Sequence, residues 1–128
     1  MTTILIADDE PHVVELVRVT LEDDRVWVVQ AAGGAAALEL AELLAPALIF
    51  LDVHMPDMSG LEVCRRLRAD ERFASTHVVM LTAAAQREDI ARGLQAGATE
   101  YLTKPFSPVR LLGLVERLLP SRTAWLPK

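Results

Sequence analysis

The stretch ALIFLD, residues 47–52, decides the fold, because five apolar residues follow one another and lead directly into an aspartate. An uninterrupted apolar strand is typical of a parallel sheet that is covered on both faces, whereas a half-covered strand alternates apolar and polar residues. Similar runs occupy residues 4–7, 26–29 and 78–81, and a weaker one occupies residues 100–103. The sequence therefore predicts five short strands, of which residues 47–51 form the third.

Helical patterns fill the intervals between the strands, at residues 11–23, 35–44, 60–69, 86–96 and 109–119. Pro11 suits the first position of a helix, Ser107-Pro108 is a good helix start, and Gly97 stands where a C-terminal cap is expected. The alternation of strand and helix predicts an α/β fold with right-handed crossovers. Because five strands are too few for a closed eight-stranded barrel, we expect an open, doubly wound parallel sheet.

The bulk composition is that of one ordinary domain, with 128 residues of which 52% are hydrophobic. We expect the domain to comprise residues 1–120, followed by a C-terminal tail at residues 121–128. The net charge of -5 argues against direct nucleic acid binding, which requires basic patches. The single cysteine, Cys64, excludes an intramolecular disulfide. Since we find neither a signal peptide nor an apolar run of about 18 residues, we expect a cytoplasmic protein without membrane contact.

Polar residues follow four of the five predicted strands. In a doubly wound sheet the carboxyl ends of the strands share one edge, and ligands bind in a crevice there. The residues at this edge are Asp8, Asp9 and Glu10 after the first strand, Asp52 after the third, Thr82 after the fourth and Lys104 after the fifth. Clustered carboxylates need a cation or a raised pKa, and oxygen ligands suit Mg²⁺. Together with a lysine and a hydroxyl, they predict a site that handles phosphate, where one aspartate could be the nucleophile.

Each of these residues also has an ordinary structural interpretation. Asp9 could cap the first helix through its side chain, and Asp52 could be a loop residue. Thr82 could be a capping hydroxyl, and Lys104 a solvated lysine. Their combination at four strand ends favours a functional site over four unrelated structural roles.

Four sequence blocks carry a resemblance to a known family. They are LIADDE at residues 5–10, LDVHMPDMSG at 51–60, MLTAAA at 80–85 and YLTKPF at 101–106. The chain through Pro120 resembles the receiver domains of two-component response regulators, including chemotaxis regulators. The resemblance implies a flavodoxin-like (βα)5 fold with strand order 2-1-3-4-5.

The resemblance also implies a role for each residue of the site. Asp52 would accept a phosphoryl group from a histidine kinase or phosphotransfer protein, in a Mg²⁺-dependent phosphorelay step. The chain would catalyse only its own phosphotransfer and dephosphorylation. Mg²⁺ would be held by Asp8, Asp9, Asp52 and the main-chain carbonyl of His54, and the phosphoryl oxygens by Thr82, Lys104 and the backbone of Ala83.

After phosphorylation Thr82, at the end of the fourth strand, would move toward the phosphoryl group and Tyr101 would turn inward. Signal output would follow from the resulting switch of the face formed by the fourth helix, fifth strand and fifth helix. A homodimer could form through this face. DNA-binding members of the family often carry a basic residue in the fifth helix, and it takes part in a salt-bridged dimer. Here Leu114 stands near that position, which argues against a dimer of the same kind. The leucine stripe of helix 109–119 is wider than one core face requires, so we expect part of it to be exposed. The resemblance also implies a cis peptide bond between Lys104 and Pro105. It further implies that the side chains at positions 54 and 84 tune the lifetime of the phosphoryl group.

The sequence is also compatible with two other functions. The chain could be a small phosphohydrolase that uses an aspartate nucleophile on external substrates, although no second domain is available to exclude water. It could also be a pseudo-receiver that binds partners without phosphate. The presence of all five residues of the motif, Asp8, Asp9, Asp52, Thr82 and Lys104, argues against the second alternative.

Overall fold

The computed structural model describes residues 1–83 and 87–120, and within them five strands alternate with five α-helices. The strands are β1 (Thr2–Ala7), β2 (Val26–Ala31), β3 (Leu48–Asp52), β4 (His77–Ala83) and β5 (Glu100–Lys104). The helices are α1 (Pro11–Leu21), α2 (Gly34–Leu44), α3 (Gly60–Arg68), α4 (Arg87–Gln95) and α5 (Pro108–Leu118). A short 3-10 helix at Glu71–Phe73, which no sequence pattern indicates, precedes β4.

The strands form one parallel sheet in the order β2-β1-β3-β4-β5, which confirms the predicted fold. The register aligns Ala7 of β1 with Leu51 of β3, and Asp52 with Leu81 of β4. The carboxyl ends of β1, β3 and β4 therefore finish side by side. This alignment brings the polar residues that follow them to one edge of the sheet.

Two apolar clusters cover the two faces of the sheet, because successive residues of each strand point to opposite sides. On one face, Ile4, Ile6 and Phe50 pack against residues of α1 and α5. On the other, Ile49 and Leu51 pack against residues of α2 and α3, with Cys64 fully buried among them. All five residues of β3 are buried, as its continuous apolar sequence predicts.

The helix ends follow the sequence signals at most positions. Pro11 opens α1, Ser107 caps α5 by accepting from the backbone N–H of Arg110, and Gly97 adopts a left-handed φ of 103° after α4. The interpretation of Asp9 as a side-chain cap is wrong, since the N-cap of α1 is Glu10 and its side chain makes no capping hydrogen bond. The Lys104–Pro105 peptide bond is cis, as the resemblance implied.

Helix α1 ends at Leu21, two residues before the predicted end, because the following acidic side chains bond to the next strand. Glu22 is extended and accepts from the backbone N–H of Val28 in β2. Asp23 accepts from the backbone N–H groups of Arg25 and Val26 and so forms a turn. These side chains compete with helical hydrogen bonding.

The leucine stripe of α5 is less exposed than expected. Leu111, Leu114 and Val115 are buried, and Leu112, Leu118 and Leu119 pack partly buried against the same core cluster. The strongly exposed apolar residue of this helix is Val109. A basic residue of α5 does face the acidic side chain before Tyr101, since Arg117 forms an ion pair with Glu100 at 3.0 Å within the chain.

Among residues 1–83 and 87–120, no helix is long and apolar enough to cross a membrane. The predicted tail at residues 121–128 lies outside the described residues, as does Ala84.

Candidate functional site

Asp52 is the last residue of β3 and lies at the centre of the site. It is buried, and this burial, followed by the charge of Asp8, raises the pKa of its carboxyl group above the ordinary value. The backbone N–H of His54 donates to Asp52 Oδ1 at 3.3 Å. Gly60 lets the first turn of α3 approach the backbone of Asp52 closely, because a Cβ at this position would collide with the Asp52 carbonyl oxygen.

Lys104 brings together carboxylates from two strand ends. Its Nζ lies 2.8 Å from Asp8 Oδ2, 2.7 Å from Glu10 Oε1 and 3.5 Å from Asp52 Oδ2. Burial disfavours the charged ammonium, but the contacts with Asp8 and Glu10 outweigh burial and raise the pKa of Lys104. The lysine is therefore a permanent internal counterion of the acidic cluster.

Glu10 is a member of the cluster for which the sequence alone indicates no separate role. Its hydrogen bond to Lys104 lowers the pKa of the Glu10 carboxyl group, and its second oxygen lies 3.3 Å from His12 Nε2. The signal in the sequence was its position two residues after Asp8 in the same acidic run. That signal was insufficient, because only the folded chain shows that its longer side chain returns to the lysine.

Asp9 is not a member of this carboxylate cluster among the described residues. Asp8 is completely buried, whereas the next residue, Asp9, is exposed. Asp8 also fixes the turn after β1, since its Oδ1 accepts from the backbone N–H of Glu10 at 2.9 Å. The site as folded thus contains Asp8, Glu10 and Asp52 around Lys104.

Thr82 and Ala83 end β4 beside the acidic cluster. Thr82 is buried, and its hydroxyl donates to the carbonyl oxygen of Ala83 at 3.4 Å. Tyr101 of β5 is 37% exposed, so its ring is not enclosed in the core. The structure places a buried hydroxyl at the site and a partly exposed aromatic residue on the neighbouring strand.

Asp57 fixes the loop between β3 and α3, residues 53–59, which we call the acceptor loop. Its carboxylate accepts from the backbone N–H groups of Gly34 and Ala35 at 2.9 and 3.0 Å, at the start of α2. These bonds lower the pKa of Asp57. A Cβ at Gly33 would lie 2.6 Å from Asp57 Oδ1, so a larger residue there would displace the Asp57 carboxylate.

The acidic cluster is chemically suited to a hard divalent cation. Asp8, Glu10 and Asp52 each offer one carboxylate oxygen, and these oxygens lie within 4.8 Å of one another. Asp8 Oδ2 is buried without a hydrogen bond of good geometry among residues 1–83 and 87–120, although it forms an ion pair with Lys104. A buried carboxylate oxygen in a group of oxygen donors fits Mg²⁺ better than a softer metal.

Residues 4–116 match the family model described as the response regulator receiver domain. The chain belongs to the response regulator receiver family. It is 44% identical over 128 residues to the DNA-binding dual master transcriptional regulator RpaA of Synechocystis, covering 100% of this chain and 53% of that protein. The chain spans about half the length of several curated relatives that it matches.

Solved receiver structures have the same fold. The chemotaxis protein CheY4 of Vibrio cholerae is 35% identical, with a TM-score of 0.85, covering 93% of this chain and 99% of that chain. The BeF3-activated receiver domain of DrrB is 33% identical, with a TM-score of 0.82, covering 94% of this chain and 98% of that chain. This receiver domain is thus a signalling domain of two-component systems.

Proposed function

We propose that this receiver domain, residues 1–120, accepts a phosphoryl group on Asp52 from the phosphohistidine of a histidine kinase or phosphotransfer protein. An oxygen of the Asp52 carboxylate forms a bond to phosphorus, while the phosphorus–nitrogen bond of the donor breaks and its electron pair returns to the imidazole. The product is an aspartyl phosphate, an established covalent intermediate type. Only this transfer and the later hydrolysis would be catalysed by the domain.

The observation that carries this proposal is the position of the Asp52 carboxylate. It ends the central strand, is partly withdrawn from water and lies 3.5 Å from the Lys104 ammonium. A desolvated carboxylate is a better nucleophile than a hydrated one, and the ammonium can pair with an oxygen of the incoming phosphoryl group. The Thr82 hydroxyl and the backbone N–H of Ala83 would bind further phosphoryl oxygens.

Mg²⁺ is the cofactor that fits the acidic cluster. Asp8, Asp52 and the main-chain carbonyl of His54 are the proposed ligands, with Asp9 as a ligand that the family resemblance adds. When bound, the ion supplies positive charge that offsets the repulsion between the carboxylates and the phosphoryl group. Lys104, which already pairs with Glu10, would remain beside the phosphoryl oxygens as the protein's own positive charge.

The signal would leave through α4, β5 and α5. Phosphorylation adds nearly two negative charges and three acceptor oxygens at Asp52. Thr82 would be drawn to the phosphoryl group, and the partly exposed Tyr101 would turn inward. This face is also our candidate for a homodimer contact, as part of the proposal. RpaA is described as DNA-binding, and an effector of that kind would act outside this domain.

A small-molecule phosphodonor tests the function directly. The purified protein is incubated with acetyl phosphate and Mg²⁺ and its mass is measured. We expect one added phosphoryl group, located on Asp52. The adduct should be absent in Asp52→Asn and in the presence of chelator. It should form normally in the control variant Asp24→Asn, which changes an exposed carboxylate.

Other outcomes would identify the alternatives. Sustained multiple turnover of an external phosphate ester would favour a phosphohydrolase. Absence of both adduct and turnover, in a protein that still folds, would favour a pseudo-receiver that binds partners without phosphate.

The proposed location of the domain is the cytoplasm. This proposal rests on the proposed interaction with a histidine kinase and on Cys64, a free cysteine that suits a reducing compartment.

A further inference from the structure

Helix α4 carries a buried carboxylate that the proposed phosphorylation chemistry does not use. Asp89 lies in the first turn of α4, and its side chain is only 8% exposed. Buried carboxylates are rare unless they are paired. The titratable or charged side chains that face Asp89 among the described residues are His54 of the acceptor loop and Arg92 one turn along α4.

The contact with His54 is the shorter of the two. His54 Nε2 lies 3.1 Å from Asp89 Oδ2, whereas the nearest Arg92 nitrogen lies 4.0 Å from Asp89 Oδ1. A carboxylate can only accept, so the imidazole nitrogen donates. The imidazole itself is 76% exposed, which means that the bond, rather than burial of the ring, orients this side chain.

His54 therefore connects the phosphoacceptor to α4 through two bonds of a single residue. Its backbone N–H donates to Asp52 Oδ1 at 3.3 Å, and its ring donates to Asp89. A change in charge or position at Asp52 acts on the same residue that holds α4. No other residue is needed to link Asp52 to α4.

Apolar packing attaches α4 less firmly than the other helices. Only Asp89 and Gly93 are buried in α4, whereas α1 buries Val13, Val14, Val17 and Leu21. Gly93 contributes a close approach to Met80 rather than an apolar side chain. Since little hydrophobic area fixes α4, the hydrogen bond that its one buried carboxylate, Asp89, accepts from His54 is a large part of its attachment.

We propose that the His54–Asp89 bond anchors α4 to the acceptor loop and holds the helix in its unphosphorylated position. Asp89 is a positioning residue in this scheme, because it acts through His54 and touches no reacting atom. The link to phosphorylation rests on the proposed function, since the bond would be weakened when the acceptor loop rearranges around the phosphorylated Asp52. Loss of the bond should release α4 without any phosphoryl group.

Amide hydrogen exchange tests the anchor in the full chain, in chelator and without a phosphodonor. We expect Asp89→Ala and His54→Ala each to speed exchange in α4 about tenfold, a typical size for coupling between two sites, and to leave α1 unchanged. The double variant should be no faster than either single variant. Glu88→Ala is the matched control, because it removes a neighbouring exposed carboxylate of the same helical turn, and it should resemble the wild type.

Beryllofluoride with Mg²⁺ tests the link to the switch. If the anchor opposes the phosphorylated position, Asp89→Ala should bind this phosphoryl mimic a few-fold more tightly than Glu88→Ala does. Equal exchange in Asp89→Ala and Glu88→Ala, or a full Asp89→Ala effect in the His54→Ala background, would overturn the anchor. Equal affinities would overturn its role in the switch. Failure of the wild type to bind beryllofluoride would count against the proposed function, while the exchange result would still decide whether the anchor exists.

Discussion

At the scale of single residues, the raised pKa of Asp52 makes its ionised carboxylate a source of instability at neutral pH. A carboxyl group with a higher pKa in the folded chain destabilises the fold fully above that pKa, and not at all well below the ordinary value of 3.8. Asp52→Asn should therefore raise the free energy of unfolding at pH 7 by on the order of 1 kcal/mol. Urea denaturation in chelator measures this difference.

The pH dependence provides the control for that prediction. The gain from Asp52→Asn should shrink as the pH falls through the raised pKa towards 3.8. Asp57→Asn should have the opposite sign at pH 7, because the helix α2 N–H groups lower the pKa of Asp57. If the stability gained by Asp52→Asn did not vary with pH, the ionised Asp52 carboxylate would not be the source of the instability, which would contradict repulsion between the clustered acids.

Lys104 should stabilise the metal-free fold, because it is the counterion of the fully buried Asp8. Breaking a buried ion pair by removing one partner leaves an uncompensated charge. Since the Lys104 side chain is 18% exposed, we expect Lys104→Met to lower the free energy of unfolding by about 2 kcal/mol, less than for a fully buried pair. Thermal or urea denaturation in chelator would show this loss.

Mg²⁺ provides a second readout for Lys104→Met. The ion should stabilise this variant more than the wild type, because it supplies the positive charge that the lysine no longer provides. Arg110→Met, on the exposed side of α5, is the control and should change neither quantity appreciably. Equal stabilisation of wild type and Lys104→Met by Mg²⁺ would mean that the ion and the lysine do not share the same carboxylates.

At the scale of the elements, two helical glycines should respond to alanine in opposite directions. A Cβ at Gly60 would collide with the backbone carbonyl of Asp52, which cannot move without disturbing β3. A Cβ at Gly113, in the middle of α5, would meet nothing within 4 Å. Gly60→Ala should lose about 1–3 kcal/mol of stability, whereas Gly113→Ala should gain about 0.4–1 kcal/mol. Equal effects in denaturation experiments would contradict the close packing of α3 on β3.

The elements themselves were largely predictable from the sequence. The continuous apolar run of β3 indicated a strand buried on both faces, and Pro11, Gly97 and Ser107 marked helix ends. The short helix at Glu71–Phe73 was missed, because three residues show no periodicity. The early end of α1 was also missed, because it depends on a hydrogen bond between the Glu22 side chain and Val28, which lies in the next strand of the sequence.

The site was predictable in composition and less so in detail. Strand ends in a parallel sheet meet at one edge, so the proximity of Asp8, Asp52 and Lys104 followed from their positions alone. The inward direction of Glu10 did not, because it depends on the backbone turn that Asp8 stabilises. The His54–Asp89 bond joins residues 35 apart in sequence and has no pattern that a sequence could display.

At the scale of the whole molecule, the sheet separates stability from chemistry. Its two faces are apolar and hold the fold together, while its carboxyl edge collects like charges that oppose folding. The only described elements that reach this edge from outside the sheet are loops and helix starts, which apolar packing holds less firmly than it holds the strands. A ligand at the edge can therefore move those segments without disturbing the core, as a switch requires.

This separation predicts that Mg²⁺ should stabilise the whole domain by a specific site and not by general screening. Binding to the folded state alone adds about 2.7 kcal/mol to the free energy of unfolding when the ion is present at one hundred times its dissociation constant. NaCl at the same ionic strength should stabilise much less, because screening is weak among buried charges. Asp52→Asn should reduce the Mg²⁺ gain, since it removes one of the carboxylates within 4.8 Å of the others, while Asp24→Asn should leave it intact. An equal gain from Mg²⁺ and NaCl would show that the cluster does not bind the ion and that its charges are compensated by Lys104 alone.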